Sequence, residues 1–309
     1  MKYQEWLVEW LENYVKPTSK RKTYMRYGEI VALHISPCLG EYSLDEITPI
    51  IVQKFVTTLL EKGNLRTGSG LSPNSVNSII TVLQGSLETA YTLGLSQEYI
   101  GDKIKRPRIV EKQISCFTYA EQKKIEAAVM ESKKNKHFGI LLCLYTGLRI
   151  GELLALEWGD VDLVKGEISV NKSCYDGKDE NGHFCRITDK PKTVNSSRII
   201  PLPKQLLPII REQKKKATNS FVIANGDKAI SVRSYQKTFA LLLKKINIPH
   251  RGFHSLRHTF ATRALECGMD VKTLSEILGH KSPTITLNRY VHSLMEHKRD
   301  MMNKLGKLL

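Results

Sequence analysis

Two histidines and an arginine stand close together in the segment 254–258, which reads HSLRH. His254 and His258 are four residues apart, the spacing of two zinc ligands on one face of a helix. A catalytic zinc site of this kind also needs a glutamate after the first histidine and a third ligand. Position 255 is a serine, and Arg257 would repel a cation. The pattern disfavours a metal, and a histidine pair packed in the core is the simplest structural alternative.

Binding of an anion fits the spacing better. On a helix, His254 and Arg257 lie on the same face, one turn apart. The guanidinium of an arginine is a rigid fork that matches two phosphate oxygens, and a histidine can add a hydrogen bond or a proton. His258 falls next to that face and can simply pack. One arginine and one histidine do not make an active site, so the hypothesis requires further polar residues elsewhere in the chain.

Such residues occur in three other segments. TGLRIGELLAL places Arg149 at the start of a helix, where backbone N–H groups also favour an anion, and Glu152 three residues later can orient it. PKTVNSSRIIPL places Lys192 on the edge of a predicted hairpin. LGHKSPTITLNRY supplies His280 and, ten residues later, Tyr290.

These residue types together fit cleavage of a phosphodiester. Two arginines can neutralise the oxygens of a pentavalent phosphate, and two histidines can supply hydrogen bonds and handle protons. A lysine can protonate the leaving alkoxide, and a tyrosine can attack phosphorus to form a covalent intermediate. With this fixed positive charge the chemistry requires no metal and no other cofactor. The sequence also has no GxxxxGK[ST] loop that would indicate ATP hydrolysis.

The elements that carry these residues fall into two predicted domains. Residues 1–102 show four amphipathic helices, of which the first two end near Pro17 and Pro37 and the next two begin at Thr48-Pro49 and Ser72-Pro73. A basic linker without periodicity follows at 103–115. A second domain covers 116–309, opening with a capping box from Thr118 to Glu121.

The second domain is predicted to be helical at both ends, with short strands between. Strands are predicted at 167–173, 183–190 and 197–202, and 221–225 is a fourth candidate. An amphipathic tail helix is predicted at 293–309. The fold class is therefore mainly α with a small antiparallel β-sheet, in which a helical bundle precedes a mixed α/β domain.

The charge of the chain indicates a polyanionic partner. There are 47 Lys and Arg residues against 31 Asp and Glu, a net charge of +16, which favours nucleic acid or an anionic membrane surface. No apolar run is long enough for a membrane span, and no signal peptide is visible. The six cysteines form no CxxC pair, and Cys174, His183 and Cys185 lack a fourth metal ligand. These features predict a cytoplasmic protein with reduced thiols.

The motifs as a set resemble those of the tyrosine recombinase (phage integrase) family. The matching segments are TGLRIGELLAL, PKTxxxSRxIPL, HSLRHTFAT, LGH and the tyrosine of TLNRY, in the family's order over nearly all of the second domain. The first domain is similar, less specifically, to the family's SAM-like core-binding domain. Segments such as YSLDEITPIIVQKF look most similar to integrases of phages and conjugative transposons of Gram-positive bacteria.

The resemblance implies a role for each candidate residue. The catalytic set would be Arg149, Lys192, His254, Arg257, His280 and the nucleophile Tyr290, with Glu152 as support. Such enzymes cut one strand, hold it as a 3′-phosphotyrosine, free a 5′-hydroxyl and rejoin strands without ATP or metal. Lys190, two residues before Lys192 on the same predicted strand face, is an alternative general acid.

The resemblance also implies partners and a location. We expect double-stranded DNA at recombination sites, clamped by both domains, a homo-tetramer on paired sites, and an excisionase or DNA-bending protein as accessory partner. We expect the tail 293–309 to dock on a neighbouring protomer, with docking on its own domain as the alternative. The protein would be associated with the bacterial nucleoid. The sequence shows no arm-binding domain before the core-binding helices, which indicates a simpler recombinase or a shortened chain. For the function of the chain, a type IB topoisomerase and a non-catalytic DNA-binding protein are the alternatives to a recombinase.

Overall fold

The chain divides into two compact units, Met1–Lys112 and Gln113–Leu309. The computed structural model describes residues 1–109, 116–132, 134–178, 182–189, 197–226, 228–280, 282–284, 287, 302–303 and 306. Lys190, Lys192, Tyr290 and most of the predicted tail helix lie outside the described residues. Each unit has its own hydrophobic core, as the sequence predicted for two domains.

Unit 1 is helical. Its α-helices are α1 (Tyr3–Trp10), α2 (Lys16–Thr18), α3 (Arg21–Ile30), α4 (Ser36–Leu39), α5 (Pro49–Lys62) and α6 (Pro73–Thr92). Thr48 and Ser72 cap α5 and α6 as predicted, because each side chain accepts a hydrogen bond from a backbone N–H of the first turn. The long helix α6 lies against α1, where the Trp6 indole N–H donates to the carbonyl of Ser86 at 2.9 Å.

The two prolines near the ends of the first two predicted helices lie inside the helical segments, one and two residues before their ends. A π-helical turn at Leu11–Val15 joins α1 to α2, and a second at Val31–Ile35 joins α3 to α4. In each case the residue before the proline bonds a carbonyl five residues back, as Lys16 does with Leu11. The proline then stands in the first turn of a new α-helical segment, where its missing N–H costs nothing. The helical segments therefore run past Pro17 and Pro37 and end shortly after them, at Thr18 and Leu39.

The first part of the predicted linker packs against unit 1. Ile104 is buried, and the guanidinium of Arg106 donates to the carbonyl of Asn77 and the hydroxyl of Thr81 on α6. The Asn77 amide in turn donates to the carbonyl of Pro107 at 3.1 Å. The sequence placed the end of the first domain at residue 102, whereas residues 104–107 contact α5 or α6 or are buried, and unit 1 extends to Lys112.

Unit 2 surrounds a small β-region with helices. Its α-helices are α7 (Tyr119–Met130), α8 (Phe138–Thr146), α9 (Ile150–Ala155), α10 (Leu207–Lys215), α11 (Val232–Lys245), α12 (His254–Glu266) and α13 (Val271–Leu278). Its strands are β1 (Val161–Asp162), β2 (Glu167–Val170), β3 (Ser173–Lys178), β4 (Phe184–Asp189), β5 (Arg198–Pro201), β6 (Ala224–Asn225) and β7 (Lys228–Ala229). All pairings in the described residues are antiparallel.

Among the residues that the structure describes, the strands form three separate sheets in the order β1-β2-β5, β3-β4 and β6-β7. The hairpin β3-β4 is inserted between β2 and β5. In the first sheet Ile168 pairs with Ile200, both buried, and Val170 pairs with Arg198. This register turns the side chain of Arg198 to the same face as Ile200, toward the interior of unit 2.

Two glycines in the left-handed conformation end the helices that matter for the site. Gly147 (φ 64°) ends the buried helix α8, which packs against α12, and Gly279 (φ 63°) ends α13. Within the described part of the chain, no helix has the length and apolar content needed to cross a membrane.

Candidate active site

Three arginines converge on the carboxyl end of α13. Each donates a hydrogen bond to one of three successive backbone carbonyls there. The pairs are Arg198 Nε with Ile277 at 2.6 Å, Arg257 Nη2 with Leu278 at 2.7 Å, and Arg149 Nη2 with Gly279 at 3.1 Å. The last carbonyls of a helix have no partner within the helix and carry partial negative charge, so they bind cations well.

Arg149 lies at the start of α9, where the sequence placed it. Its backbone N–H donates to Glu152 Oε2 at 2.9 Å, and its Nη1 donates to Oε1 of the same carboxylate at 2.7 Å. Glu152 thus contacts Arg149 as the three-residue spacing suggested. The Arg149 side chain is 40% exposed, so a phosphate can reach it.

Glu152 has a second arginine partner that the sequence analysis missed. Arg198 donates from Nη1 to Oε1 at 3.1 Å and from Nη2 to Oε2 at 2.8 Å, a two-pronged contact between side chains that are 7% and 9% exposed. Burial alone would raise the pKa of the Glu152 carboxyl, but Arg198 and Arg149 outweigh burial and lower this pKa to about 2. The carboxylate is therefore ionised at neutral pH.

A signal for Arg198 was present in the sequence. In SRIIPL, residues 198 and 200 share one face of a strand, and Ile200 is apolar. An arginine on the buried face of a strand requires an acidic partner, because an unpaired buried charge is costly.

Arg257 is almost fully buried, with 2% exposure. Its Nη1 donates to the carbonyl of Gly147 and its Nη2 to that of Leu278, each at 2.7 Å. These bonds tie α12 to the ends of both α8 and α13. Arg149 and Arg257 therefore reach adjacent carbonyls, although they are far apart in the sequence.

The histidines flank this cluster. His254 is the first residue of α12 and is exposed, whereas His258 is half-buried; their rings are nearly perpendicular with centroids 4.6 Å apart. The exposure of His254 argues against a histidine pair enclosed in the core. His280 follows Gly279 directly, is half-buried, and its backbone N–H donates to the carbonyl of Ser275 at 3.0 Å. The structure thus places His280 beside the carbonyls that the arginines bind.

The candidate site is strongly basic. Two guanidinium groups bind the one carboxylate of Glu152, and a third, that of Arg257, binds the nearby carbonyl of Leu278. This excess of positive charge attracts an anion such as a phosphodiester and repels metal cations. In the described ranges, no three histidine, cysteine or acidic side chains form a group suited to a metal.

Comparison with known proteins identifies two family models in the chain. The model described as "Phage integrase family" matches residues 112–297. The model described as "Phage integrase, N-terminal SAM-like domain" matches residues 2–60. The matched regions fall in unit 2 and unit 1 respectively, apart from the first residue of the larger match.

Curated relatives are similar over most of their length. A tyrosine recombinase XerC-like protein of Caldanaerobacter subterraneus subsp. tengcongensis is 30% identical, with 97% of this chain and 81% of that protein covered. The ICEBs1 integrase of Bacillus subtilis is 27% identical, with 94% of this chain and 79% of that protein covered.

Solved structures have the same fold. The Tn1549 transposon integrase in complex with circular intermediate DNA aligns with a TM-score of 0.82 over 99% of both chains, at 22% identity. A lambda integrase dimer bound to a core site gives a TM-score of 0.71 at 19% identity, over 94% of this chain and 95% of that chain. The predicted fold class and the resemblance inferred from the motifs are confirmed. The chain is a tyrosine recombinase and belongs to the phage integrase family.

Proposed function

We propose that this recombinase cuts and rejoins double-stranded DNA at the ends of a mobile element, through a covalent bond between Tyr290 and a 3′-phosphate. The proposed catalytic residues are Arg149, Lys192, His254, Arg257, His280 and Tyr290, with Glu152 orienting Arg149. The observation that carries the proposal is the attachment of Arg149 and Arg257 to the adjacent carbonyls of Gly279 and Leu278, directly before His280.

The charge of this cluster matches the reaction. When the tyrosine oxygen attacks phosphorus, negative charge develops on the non-bridging oxygens, and fixed guanidinium groups stabilise it without reorganising. Arg149 is the exposed member, and Glu152 neutralises only part of the local positive charge. His254 and His280 supply hydrogen bonds to the same phosphate.

Cleavage and rejoining of the strand need no external energy source. Tyr290 forms a P–O bond as the bond to the 5′-oxygen breaks. A histidine of the site takes the proton of the tyrosine hydroxyl, and Lys192 gives the 5′-oxygen its proton. Rejoining is the reverse: a 5′-hydroxyl attacks the phosphotyrosine, and the tyrosine oxygen leaves. Each step replaces one phosphodiester with another, so the bond energy is retained.

Duplex DNA and further copies of the chain are the proposed partners. Among the similar structures, the transposon and lambda integrases are bound to DNA, and one lambda integrase is a tetramer on a Holliday junction. The net charge of +16 supports a DNA partner. Unit 1 would be the core-binding domain and unit 2 the catalytic domain, with four copies on two paired sites.

The test is covalent trapping on a nicked duplex that carries an end of the element encoding this chain. The wild type should give a protein–DNA adduct that survives denaturation. Tyr290→Phe should bind the duplex equally well and give none, because only the attacking oxygen is lost. Tyr119→Phe is the matched control, since Tyr119 is an exposed tyrosine of the same unit, and it should react like the wild type. An adduct with Tyr290→Phe, or none with the wild type, would contradict the proposal.

A further inference from the structure

We propose that Arg198 is a positioning residue of this active site: it holds Arg149 and the 277–280 turn in place through the carboxylate of Glu152 and the carbonyl of Ile277. The proposal rests on the proposed function, because it assumes that Arg149 binds the scissile phosphate.

Two residues fill the hydrogen-bond acceptor positions of the Glu152 carboxylate. Oε1 accepts from Arg149 Nη1 and Arg198 Nη1, and Oε2 accepts from Arg149 N and Arg198 Nη2. A carboxylate offers about four acceptor positions, so all of them are occupied. Without Arg198 the carboxylate would keep, of these four hydrogen bonds, the two to Arg149 and could rotate with it. Arg198 is therefore what fixes the carboxylate relative to the rest of unit 2.

Arg198 also fixes the second attachment point of Arg149. Its Nε donates to the carbonyl of Ile277, two residues before the Gly279 carbonyl that Arg149 binds. The guanidinium packs against Gly279 so closely that a Cβ added there would lie 3.0 Å from Nη1. Arg198 thus contacts both groups that hold Arg149, and it supports the turn that leads into His280.

Arg149 and Arg198 differ in the exposed fraction of their side chains, and this difference indicates different roles. The Arg198 side chain is 7% exposed and its three nitrogens each bond a protein oxygen, whereas the Arg149 side chain is 40% exposed. Arg149 can therefore face a phosphate directly, and Arg198 acts through it. The position of Arg198 at the start of β5 anchors this support to the sheet, where it pairs with Val170 of β2.

The experiment measures single-turnover cleavage by Arg198→Lys on two duplexes. One carries the natural scissile phosphate, and the other a methylphosphonate at that position. Lysine retains the charge but lacks the fork that grips both carboxylate oxygens. Because a displaced guanidinium weakens catalysis without abolishing binding, we expect cleavage of the natural duplex to fall about 10- to 100-fold. DNA binding should stay near the wild-type level.

The methylphosphonate provides a readout that a purely structural role would not change. It lacks one negatively charged oxygen, so its cleavage depends less on the arginines. The defects of Arg149→Ala and of Arg198→Lys should both become smaller on this duplex. In the double variant, Arg198→Lys should add little to the loss caused by Arg149→Ala, because both act through one guanidinium.

Arg186→Lys is the matched control. Arg186 is a poorly exposed arginine on β4 that also donates to a backbone carbonyl, that of Leu154 at 2.6 Å, and stacks over the ring of Phe221. Its replacement should give the same fractional change on both duplexes.

Three results would overturn the role of Arg198. These are wild-type cleavage by Arg198→Lys, an equal defect on both duplexes, and fully multiplicative losses in the double variant. If Arg149→Ala itself cleaved normally, the proposed function would fail instead, so the two failures are distinguishable.

Discussion

Arg149 donates a hydrogen bond to the carbonyl oxygen of Gly279, and so the start of α9 is tied to the residue directly before His280. The carbonyl has the required direction because Gly279 adopts a left-handed conformation, with φ of 63°. The backbone of one glycine therefore sets the positions of an arginine and a histidine that come from distant parts of the chain.

Replacing this glycine by alanine should damage both stability and cleavage. The left-handed backbone disfavours any side chain, and the new Cβ would lie 3.0 Å from Nη1 of Arg198. We expect the free energy of unfolding to fall by about 1–2 kcal/mol, measured by urea denaturation. Cleavage should fall as well, since Arg198 or the turn must shift.

Gly268→Ala is the control for backbone strain alone. Gly268 has φ of 88°, and no heavy atom lies within 4 Å of its added Cβ. This variant should lose stability by a similar amount but cleave DNA like the wild type. Equal cleavage by the two variants would show that the 279 turn does not position the site.

The two proposed phosphate-binding arginines should differ in their effect on stability. Arg257→Ala leaves the buried carbonyls of Gly147 and Leu278 without this donor, so unfolding should become easier by about 2–4 kcal/mol. Arg149→Ala removes a side chain that is 40% exposed, and Glu152 keeps its two hydrogen bonds to Arg198, so the cost should be smaller, about 1 kcal/mol.

Cleavage should respond alike to both changes. Each variant leaves developing phosphate charge unpaired, so each should lower the single-turnover cleavage rate by about 100-fold or more. Comparable losses of stability in the two variants, or near-normal cleavage by either, would contradict the assignment.

The parts of the fold that were predicted correctly depend on local signals. Thr48, Ser72 and Thr118 begin helices as expected, because a cap involves only the next three residues. The prolines at 17 and 37 show where a local rule is insufficient. In the π-helical turn before each proline, the backbone forms hydrogen bonds to carbonyls five residues back. No residue type in those turns indicates this in the sequence.

The site was predicted as separate motifs, whereas its arrangement depends on distant pairings. Glu152 was expected to meet Arg149, three residues away, and it does. Its contact with Arg198 exists only because β5 pairs with β2 in a register that turns Arg198 inward. The hairpin β3-β4 separates β2 from β5 in the chain, and its first strand, Ser173–Lys178, which has several polar residues and one glycine, was not predicted.

Lys192 is proposed to protonate the leaving 5′-oxygen, and this role makes a specific chemical prediction. A 5′-phosphorothiolate at the scissile bond has a sulfur leaving group that departs without a proton. Lys192→Ala should therefore cleave this substrate at close to the wild-type rate while failing on ordinary DNA. Rescue of Lys190→Ala instead of Lys192→Ala would assign the general acid to Lys190.

The carboxyl of Glu152 should make the stability of unit 2 depend on pH in the acid range. Its ordinary pKa of 4.5 is lowered to about 2 in the fold, because Arg198 and Arg149 outweigh the effect of burial. A carboxyl with a lowered folded pKa adds stability above its unfolded pKa, and this contribution is lost as pH falls from 4.5 toward 2. The full contribution is about 3 kcal/mol.

The difference in unfolding free energy between wild type and Glu152→Gln should therefore shrink between about pH 5 and about pH 3. Urea denaturation at several pH values measures it, with Glu212→Gln as control, because the Glu212–Lys216 ion pair is exposed and should contribute little. A difference that stays constant over this range would show that the two arginines do not hold Glu152 in its charged form.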